Sequence, residues 1–173
     1  MSEAKPELNI EVDKNNNPIG LRPMPDFQTG KYIHRSAHLL LFNSNNEVLM
    51  CMRSPNKRWY PNLYTYSVSG TVGNESYEEC IKHEMKEELG IFSKAKLLFV
   101  YPYFDTVDKS FHALFSAKTS KNLKPDKMEI SQLRWLSLEK LKDDIERNPQ
   151  DYVPHVIFGL KKYFDELPFF KKK

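Results

Sequence analysis

The sequence contains little cysteine, little glycine and no long run of hydrophobic residues. Cys51 and Cys80 are the two cysteines among 173 residues, and they are not spaced as metal-binding pairs are. This usage argues against a disulfide scaffold and fits a reducing compartment, so we expect a cytoplasmic protein. The sequence contains no run of about 18 apolar residues, so no membrane span is expected. The N-terminus lacks the pattern of a secretory signal.

The charge balance does not indicate a nucleic-acid partner. The net charge is +3, and the basic residues are scattered apart from the lysines at 171–173. With 40% hydrophobic residues, the chain has enough apolar material for a packed core. Its length favours one domain spanning 1–173.

The hydrophobic periodicity predicts a mixture of strands and helices. A helix is expected over 76–89, a shorter one over 138–148, and a C-terminal one over about 152–167. The C-terminal helix has an apolar stripe made of Val153, Ile157, Leu160 and Phe164. Strands are expected at about 8–22 (two short ones), 32–43, 48–54, 65–70, 95–103, 110–118 and 131–138. Because the elements do not alternate as in a doubly wound sheet, we expect an α/β protein whose mixed sheet is flanked by helices.

The predicted helix over 76–89 gathers negative charge on one face. Glu84, Glu87 and Glu88 are spaced i, i+3, i+4, which places their carboxylates together. Like charges at this spacing weaken an isolated helix. The three glutamates lie beside an apolar stripe and therefore at the edge of the core; the stripe consists of Tyr77, Ile81, Met85 and Leu89.

Two interpretations of the triplet are open from the residues alone. A divalent cation such as Mg²⁺ would relieve the repulsion, because it binds carboxylate oxygens together with water and substrate phosphates. The alternative is a solvated helix face rich in Glu and Lys, which needs no ligand.

The stretch "GTVGNESYEECIKHEMKEELGI" resembles the Nudix box, G-x5-E-x7-R-E-U-x-E-E-x-G-U, where U is a large aliphatic residue. In this register the box spans about 69–91, and the matching residues are Glu75, Glu84, Met85, Glu87, Glu88, Gly90 and Ile91. The resemblance implies a Nudix-type α/β/α sandwich. It also implies that Glu84, Glu87 and Glu88 bind Mg²⁺ or Mn²⁺.

The sequence departs from the box at two positions. His83 stands where the family has an arginine that braces the first glutamate, and we expect it to donate a hydrogen bond to Glu75. The first glycine of the pattern falls at Ser69, whereas the glycine present is Gly70, so the loop before Glu75 is predicted to be one residue short.

Residues outside the box resemble the branch that contains type I isopentenyl-diphosphate isomerases and their hydrolase relatives. The resemblance places Arg53 and Lys57 at positions that grip a diphosphate; solvated basic residues are the alternative. Glu129, six residues before Trp135, matches a recurrent glutamate that helps hold metal or activates water. An ordinary loop carboxylate is the alternative.

The isomerase machinery is incomplete. The catalytic cysteine falls at Ser69, a metal histidine at Thr71 and an early histidine near Phe27, so His34 alone of that set survives. The segment "DKSFHALF" lacks the paired glutamates of the isomerases. "HRSAH" instead resembles the hydrolase relatives, and its two histidines, His34 and His38, point to one face of a strand, as ligands or as hydrogen-bonded core residues.

The expected activity is therefore metal-dependent hydrolysis of a diphosphate linkage, of the type nucleoside diphosphate linked to another group. One of the triplet glutamates, or Glu129, would act as base toward the attacking water. Isopentenyl-diphosphate isomerisation is disfavoured by Ser69, and a non-catalytic binding module is the third hypothesis. The expected partner is a small diphosphate; no membrane or nucleic acid is indicated, and the oligomeric state stays open between monomer and dimer.

Overall fold

A computed structural model of the protein describes residues 8–106 and 108–167. Within them lie four α-helices: α1 (Met24–Phe27), α2 (Tyr77–Leu89), α3 (Leu138–Arg147) and α4 (Pro154–Glu166). A short 3-10 turn, Pro149–Asp151, precedes α4. The nine strands of this part are β1 (Leu8–Val12), β2 (Pro18–Pro23), β3 (Ile33–Phe42), β4 (Val48–Arg53), β5 (Tyr64–Thr65), β6 (Val68–Thr71), β7 (Lys96–Phe104), β8 (Lys109–Lys118) and β9 (Ile130–Leu136).

Strand β3 is the centre of a mixed sheet. Along one edge it pairs in parallel with β8, in a register that joins His34 to Ser110 and Phe42 to Lys118. Its other partners, β1, β6 and β4, are all antiparallel and meet it at successive positions. The sheet continues outward through β2, β5, β7 and β9.

The two faces of the sheet carry two separate hydrophobic cores. Because side chains alternate along a strand, Leu39 and Leu41 pack toward α2, whereas Leu40 packs with Leu141 of α3 and Leu160 of α4. The molecule is therefore an α/β/α sandwich, which confirms the predicted fold class.

Local signals define the ends of α2. The Ser76 hydroxyl accepts a hydrogen bond from the Glu79 amide, and the Glu79 carboxylate accepts one from the Ser76 amide. This capping box satisfies two amides that the first turn leaves without partners. Gly90 ends the helix in the left-handed conformation, at φ 66°, where glycine is favoured. The helix predicted over 76–89 is thus confirmed.

The structure corrects two details of the predicted elements. The strand expected at 65–70 is interrupted, because the chain changes partner there: β5 pairs with β4, while β6 pairs with β3. The buried stripe of α4 includes Val156 and Gly159, whereas Ile157 of the predicted stripe is half-buried. Among the described residues, no helix is both long and apolar enough to cross a membrane.

Gly159 provides a test of how tightly α4 packs on the sheet. A Cβ atom there would overlap the hydroxyl groups of Tyr66 and Tyr101, which form a buried 2.9 Å hydrogen bond. We therefore predict that Gly159→Ala lowers the free energy of unfolding by about 1–3 kcal/mol, because the tyrosines must shift. Urea denaturation measures the change.

Gly20→Ala is the matched control, because a Cβ atom there would lie 3.6 Å from Glu11 Oε2, which is an ordinary van der Waals contact. Helix propensity alone predicts that Gly159→Ala stabilises the protein by about 1 kcal/mol. A gain of that size would show that α4 does not pack on the tyrosines as described.

Candidate active site

The active-site region begins where α2 crosses β6. Gly70 of β6 lies so close to Glu84 that a Cβ atom at Gly70 would overlap the glutamate side chain. The glycine is therefore required by packing, because it leaves room for a half-buried carboxylate between helix and strand. Gly70, one position after the glycine of the box pattern, thus forms the cradle for Glu84.

Glu88 lies next to this cradle. It is half-buried, and its Oε2 atom accepts a 3.2 Å hydrogen bond from the backbone N–H of Ser69. Burial raises the pKa of Glu88 well above its usual value, and the negative charge of Glu84 raises it further. Two carboxylates thus face each other at the edge of the core.

Glu87 does not share this environment. Its side chain is exposed, so the structure brings Glu84 and Glu88 together at the core edge and leaves Glu87 toward solvent. The prediction that all three line the core edge is wrong for Glu87. One residue on an α-helix corresponds to about 100°, which separates Glu87 from Glu88 although they are adjacent in sequence.

Three charged residues from the β4 and β9 region approach Glu88 from the other side. Lys57 Nζ lies 2.5 Å from Glu129 Oε2, and the Ser54 amide donates a 2.8 Å hydrogen bond to the Glu129 carbonyl. Arg53 is half-buried, and its Nε donates a 3.0 Å hydrogen bond to the Trp59 carbonyl.

The charges of this second group interact with the helix carboxylate. Burial lowers the pKa of Arg53, whereas the charges of Glu129 and Glu88 raise it. Lys57 likewise lowers the pKa of Glu88, although less than burial raises it. Arg53, Lys57, Glu88 and Glu129 therefore form one site of mixed charge, which the sequence places far apart along the chain.

His83 and Glu75 form a support outside this group. His83 Nδ1 lies 2.9 Å from Glu75 Oε2, so the expected contact between the two is present. The His83 side chain is largely exposed, and the pair links the loop before α2 to the middle of the helix. A histidine thus holds the loop where the box pattern has arginine.

The donor set fits a hard divalent cation. Glu84 and Glu88 supply carboxylate oxygens, which Mg²⁺ and Mn²⁺ prefer, and their mutual repulsion would fall on binding a cation. The cradle at Gly70 fixes Glu84, and the Ser69 amide fixes Glu88. These contacts hold both carboxylates in place before any ligand arrives.

Comparison with known proteins identifies the family of the chain. The model of the NUDIX domain matches residues 32–156, which include every strand from β3 to β9 and helices α2 and α3. The chain belongs to the Nudix family. Nudix hydrolases generally use a divalent metal, and membership of the family indicates a diphosphate hydrolase.

Relatives of known name extend the match over nearly the whole chain. A prenyl-diphosphate phosphatase of Methanosarcina mazei is 41% identical over 160 residues, covering 90% of this chain and 94% of the relative. An isopentenyl-diphosphate Delta-isomerase of Paenarthrobacter aurescens is 28% identical over 158 residues, covering 86% of this chain and 85% of the isomerase. The predicted branch of the family is therefore confirmed.

Solved structures support the fold alone. The protein DR0079 of Deinococcus radiodurans superposes with a TM-score of 0.79 at 23% identity, and the match covers 90% of this chain and 98% of that protein. Such similarity shows that the two proteins share a fold, but it does not indicate which substrate this chain uses.

His34 and His38, which the sequence places on one face of a strand, belong to a cluster of four buried or half-buried histidines on the face of the sheet opposite α2, and the sequence did not indicate the other two. The cluster consists of His34 and His38 of β3, His112 of β8 and His155 of α4. Asp108 lies beside it, 3.9 Å from both His34 Nε2 and His155 Nδ1. The alternation of His34 with His38, and of Ser110 with His112, was a usable signal, but the sequence does not reveal that β8 runs parallel to β3.

Asp108 makes the stability of the protein depend on pH. Burial raises the pKa of Asp108 to about 6, although a hydrogen bond from the Ser110 hydroxyl opposes the shift. In the unfolded chain the pKa of an aspartate is about 3.9, so ionisation of Asp108 costs more free energy in the folded state. The contribution of Asp108 to the free energy of unfolding therefore falls as the pH rises from about 4 to 6. Asp108→Asn removes that penalty, so we predict a gain of about 1–3 kcal/mol at pH 7 that disappears near pH 4.

Urea denaturation at several pH values measures this gain. Asp143→Asn, at an exposed position of α3, is the control and should change stability little at any pH. A gain from Asp108→Asn that is equal at pH 4 and pH 7 would contradict the assigned titration.

Proposed function

We propose that the protein hydrolyses a prenyl diphosphate in the presence of Mg²⁺ or Mn²⁺. The observation that carries the proposal is the 41% identity to a prenyl-diphosphate phosphatase over nearly the full length of both chains. A substrate in which a nucleoside carries the diphosphate is the alternative that the box alone would suggest. A prenyl chain instead requires an apolar surface beside the phosphate site.

Arg53 and Lys57 are the groups proposed to hold the diphosphate. A planar guanidinium and a mobile ammonium suit an anion that carries several oxygens. Lys57 is already paired with Glu129, so phosphate would compete for the ammonium and release the carboxylate. A carboxylate freed in this way lies close to the reacting phosphorus and can accept a proton from the attacking water.

Aromatic side chains next to Arg53 support an apolar substrate. Hydrogen bonds join Arg53 to the carbonyl groups of Trp59 and Leu63, so the loop that contains Tyr60 lies against it. Tyr60 and Tyr103 are both partly buried and pack on the same hydrophobic core. Tyr103 packs edge-on against Phe158, whose side chain is 49% exposed. Such a wall buries methyl and methylene groups without needing hydrogen bonds.

Glu84 and Glu88 are proposed to hold the divalent metal, with Glu87 reaching it from the exposed side of α2. When bound, the metal neutralises phosphate charge and makes phosphorus more susceptible to attack. The protein contributes fixed carboxylates, the phosphate grip of Arg53 and Lys57, and Glu129 as the proposed base. Positioning and charge neutralisation are the main contributions to phosphoryl transfer.

A cytoplasmic location is part of the proposal. Cys51 and Cys80 are both buried, and no disulfide joins them. Such cysteines fit a reducing compartment such as the cytoplasm.

Chromatographic detection of the products released with Mg²⁺ tests the substrate, because nucleotide sugars and dinucleotides yield phosphomonoesters instead of free phosphate. Geranyl and farnesyl diphosphates are compared with nucleoside triphosphates, nucleotide sugars and dinucleotides, and Glu84→Gln with Glu88→Gln serves as the inactive control. The proposal predicts that prenyl diphosphates have the highest kcat/KM. Preference for a nucleotide would contradict the substrate, and no release from any compound would favour a non-catalytic binding module.

Isomerisation of isopentenyl diphosphate is predicted to be absent. Ser69 offers a hydroxyl where the isomerases have a thiol, and β8 and the residue before it supply one carboxylate, Asp108, instead of a pair of glutamates. Alkene protonation requires both a placed acid and a placed base. Formation of dimethylallyl diphosphate above a heat-inactivated control would contradict this, and Ser69→Cys alone should not create the activity.

Substitution of the cations tests the phosphate grip. We predict that Lys57→Ala and Arg53→Ala each raise KM by about tenfold or more. Each variant loses one charge-assisted hydrogen bond to the diphosphate, which contributes about 1.5–3 kcal/mol. The melting temperature should change little for Lys57→Ala, because the pair with Glu129 is partly exposed. Arg58→Ala, at an exposed neighbouring position, is the control. Unchanged KM with loss of folded protein would assign both residues a purely structural role.

A further inference from the structure

The histidine cluster contains a set of ligand atoms that the hydrolytic site does not use. One ring nitrogen of each of His38, His112 and His155 lies within 4.8 Å of the other two. The three residues come from β3, β8 and α4, so only the folded chain brings them together. His38 and His155 lie outside the positions that the isomerase resemblance assigns to metal ligands, and His112 lies in the segment where the isomerases have paired glutamates.

Hydrogen bonds orient two of these imidazoles from outside. His38 Nδ1 lies 3.1 Å from the Ser69 hydroxyl, and His112 Nε2 lies 2.7 Å from the Ser110 hydroxyl. Ser110 in turn donates to Asp108 Oδ1 at 2.8 Å. Outer partners of this kind fix the tautomer of a ligating histidine and leave its other nitrogen free to bind metal.

The inner nitrogens of the same two rings face each other. His38 Nε2 and His112 Nδ1 are 2.6 Å apart and share a hydrogen bond. Two nitrogens bound to one tetrahedral Zn²⁺ at about 2.0–2.1 Å lie about 3.4 Å apart, so the two rings would move apart slightly and exchange this hydrogen bond for the ion. His155 Nε2 is buried without a hydrogen-bond partner. A buried polar atom of this kind points to a missing ligand.

We propose that His38, His112 and His155 bind a transition-metal ion of the Zn²⁺ class, at a site separate from the carboxylates of α2. Imidazole nitrogens suit Zn²⁺ and its neighbours, whereas Mg²⁺ prefers oxygen. Burial lowers the pKa of all three histidines, so the rings are neutral and their lone pairs are available. The bound ion would fasten α4 to the centre of the sheet.

Access to the site is through His155. Its side chain is 17% exposed, whereas His38 and His112 are almost fully buried. His155 is the second residue of α4, so entry of an ion requires movement only at the beginning of one helix. Asp108, 3.9 Å from His155 Nδ1, supplies negative charge beside the path.

Zinc binding to the full-length protein tests the proposal independently of any catalytic activity. Affinity is measured by competition with a chromogenic chelator, in excess Mg²⁺ to occupy oxygen sites. The proposal predicts one Zn²⁺ per chain, weakened by about 100-fold or more in His38→Gln and His112→Gln, and by about 10- to 100-fold in Ser110→Ala. His83→Gln, which alters the one histidine of the chain outside the cluster of four, is the matched control and should bind as tightly as the unmodified protein.

A second measurement covers variants that fail to fold. If His38→Gln or His112→Gln fails to fold, His155→Gln, at the edge of the cluster, replaces that variant in the zinc titration. In addition, Co²⁺ added to the unmodified protein should give the visible spectrum of a tetrahedral nitrogen site, and Zn²⁺ should abolish that spectrum. Absence of stoichiometric zinc binding, an affinity unchanged by His38→Gln and His112→Gln, or the lack of that spectrum would overturn the proposal. None of these outcomes bears on whether a prenyl diphosphate is hydrolysed.

Discussion

The packing of Glu84 against Gly70 is the contact on which the hydrolytic site depends. This packing lets α2 approach β6 closely enough for a second carboxylate, that of Glu88, to accept a hydrogen bond from the Ser69 amide. The same approach buries like charges together, which is unfavourable in the absence of a counterion. A positive ligand would relieve this repulsion, and Arg53 and Lys57 already supply positive charge near Glu88.

Much of this arrangement could be predicted from the sequence. Helix α2 and its stop at Gly90 follow from hydrophobic period and glycine chemistry, and the box glutamates follow from their spacing. The different exposures of Glu87 and Glu88 could not be predicted, because they depend on how the helix is rotated against β6. The pairing of Lys57 with Glu129 could not be predicted either, since it joins residues that are 72 positions apart in the sequence.

The histidine cluster shows a second limit of sequence reasoning. The alternation within β3 predicts that His34 and His38 share a face of the sheet, and in the structure they do. The participation of His112 and His155 requires the parallel register of β3 with β8 and the docking of α4, both of which are long-range. Ser69 connects the two regions, because its amide holds Glu88 while its hydroxyl meets His38.

Thermal unfolding in the presence of Mg²⁺ tests the central claim, that the buried carboxylates form a cation site. At about 100 times its Kd, a ligand that binds only the folded state adds about 2.7 kcal/mol, or roughly 5–11 °C in Tm for a chain of this size. The account predicts a saturating rise of this kind, which is lost in Glu88→Gln while the metal-free Tm of that variant increases. Equal responses to Mg²⁺ and to Na⁺ at matched ionic strength, or a rise that Glu88→Gln leaves intact, would contradict it.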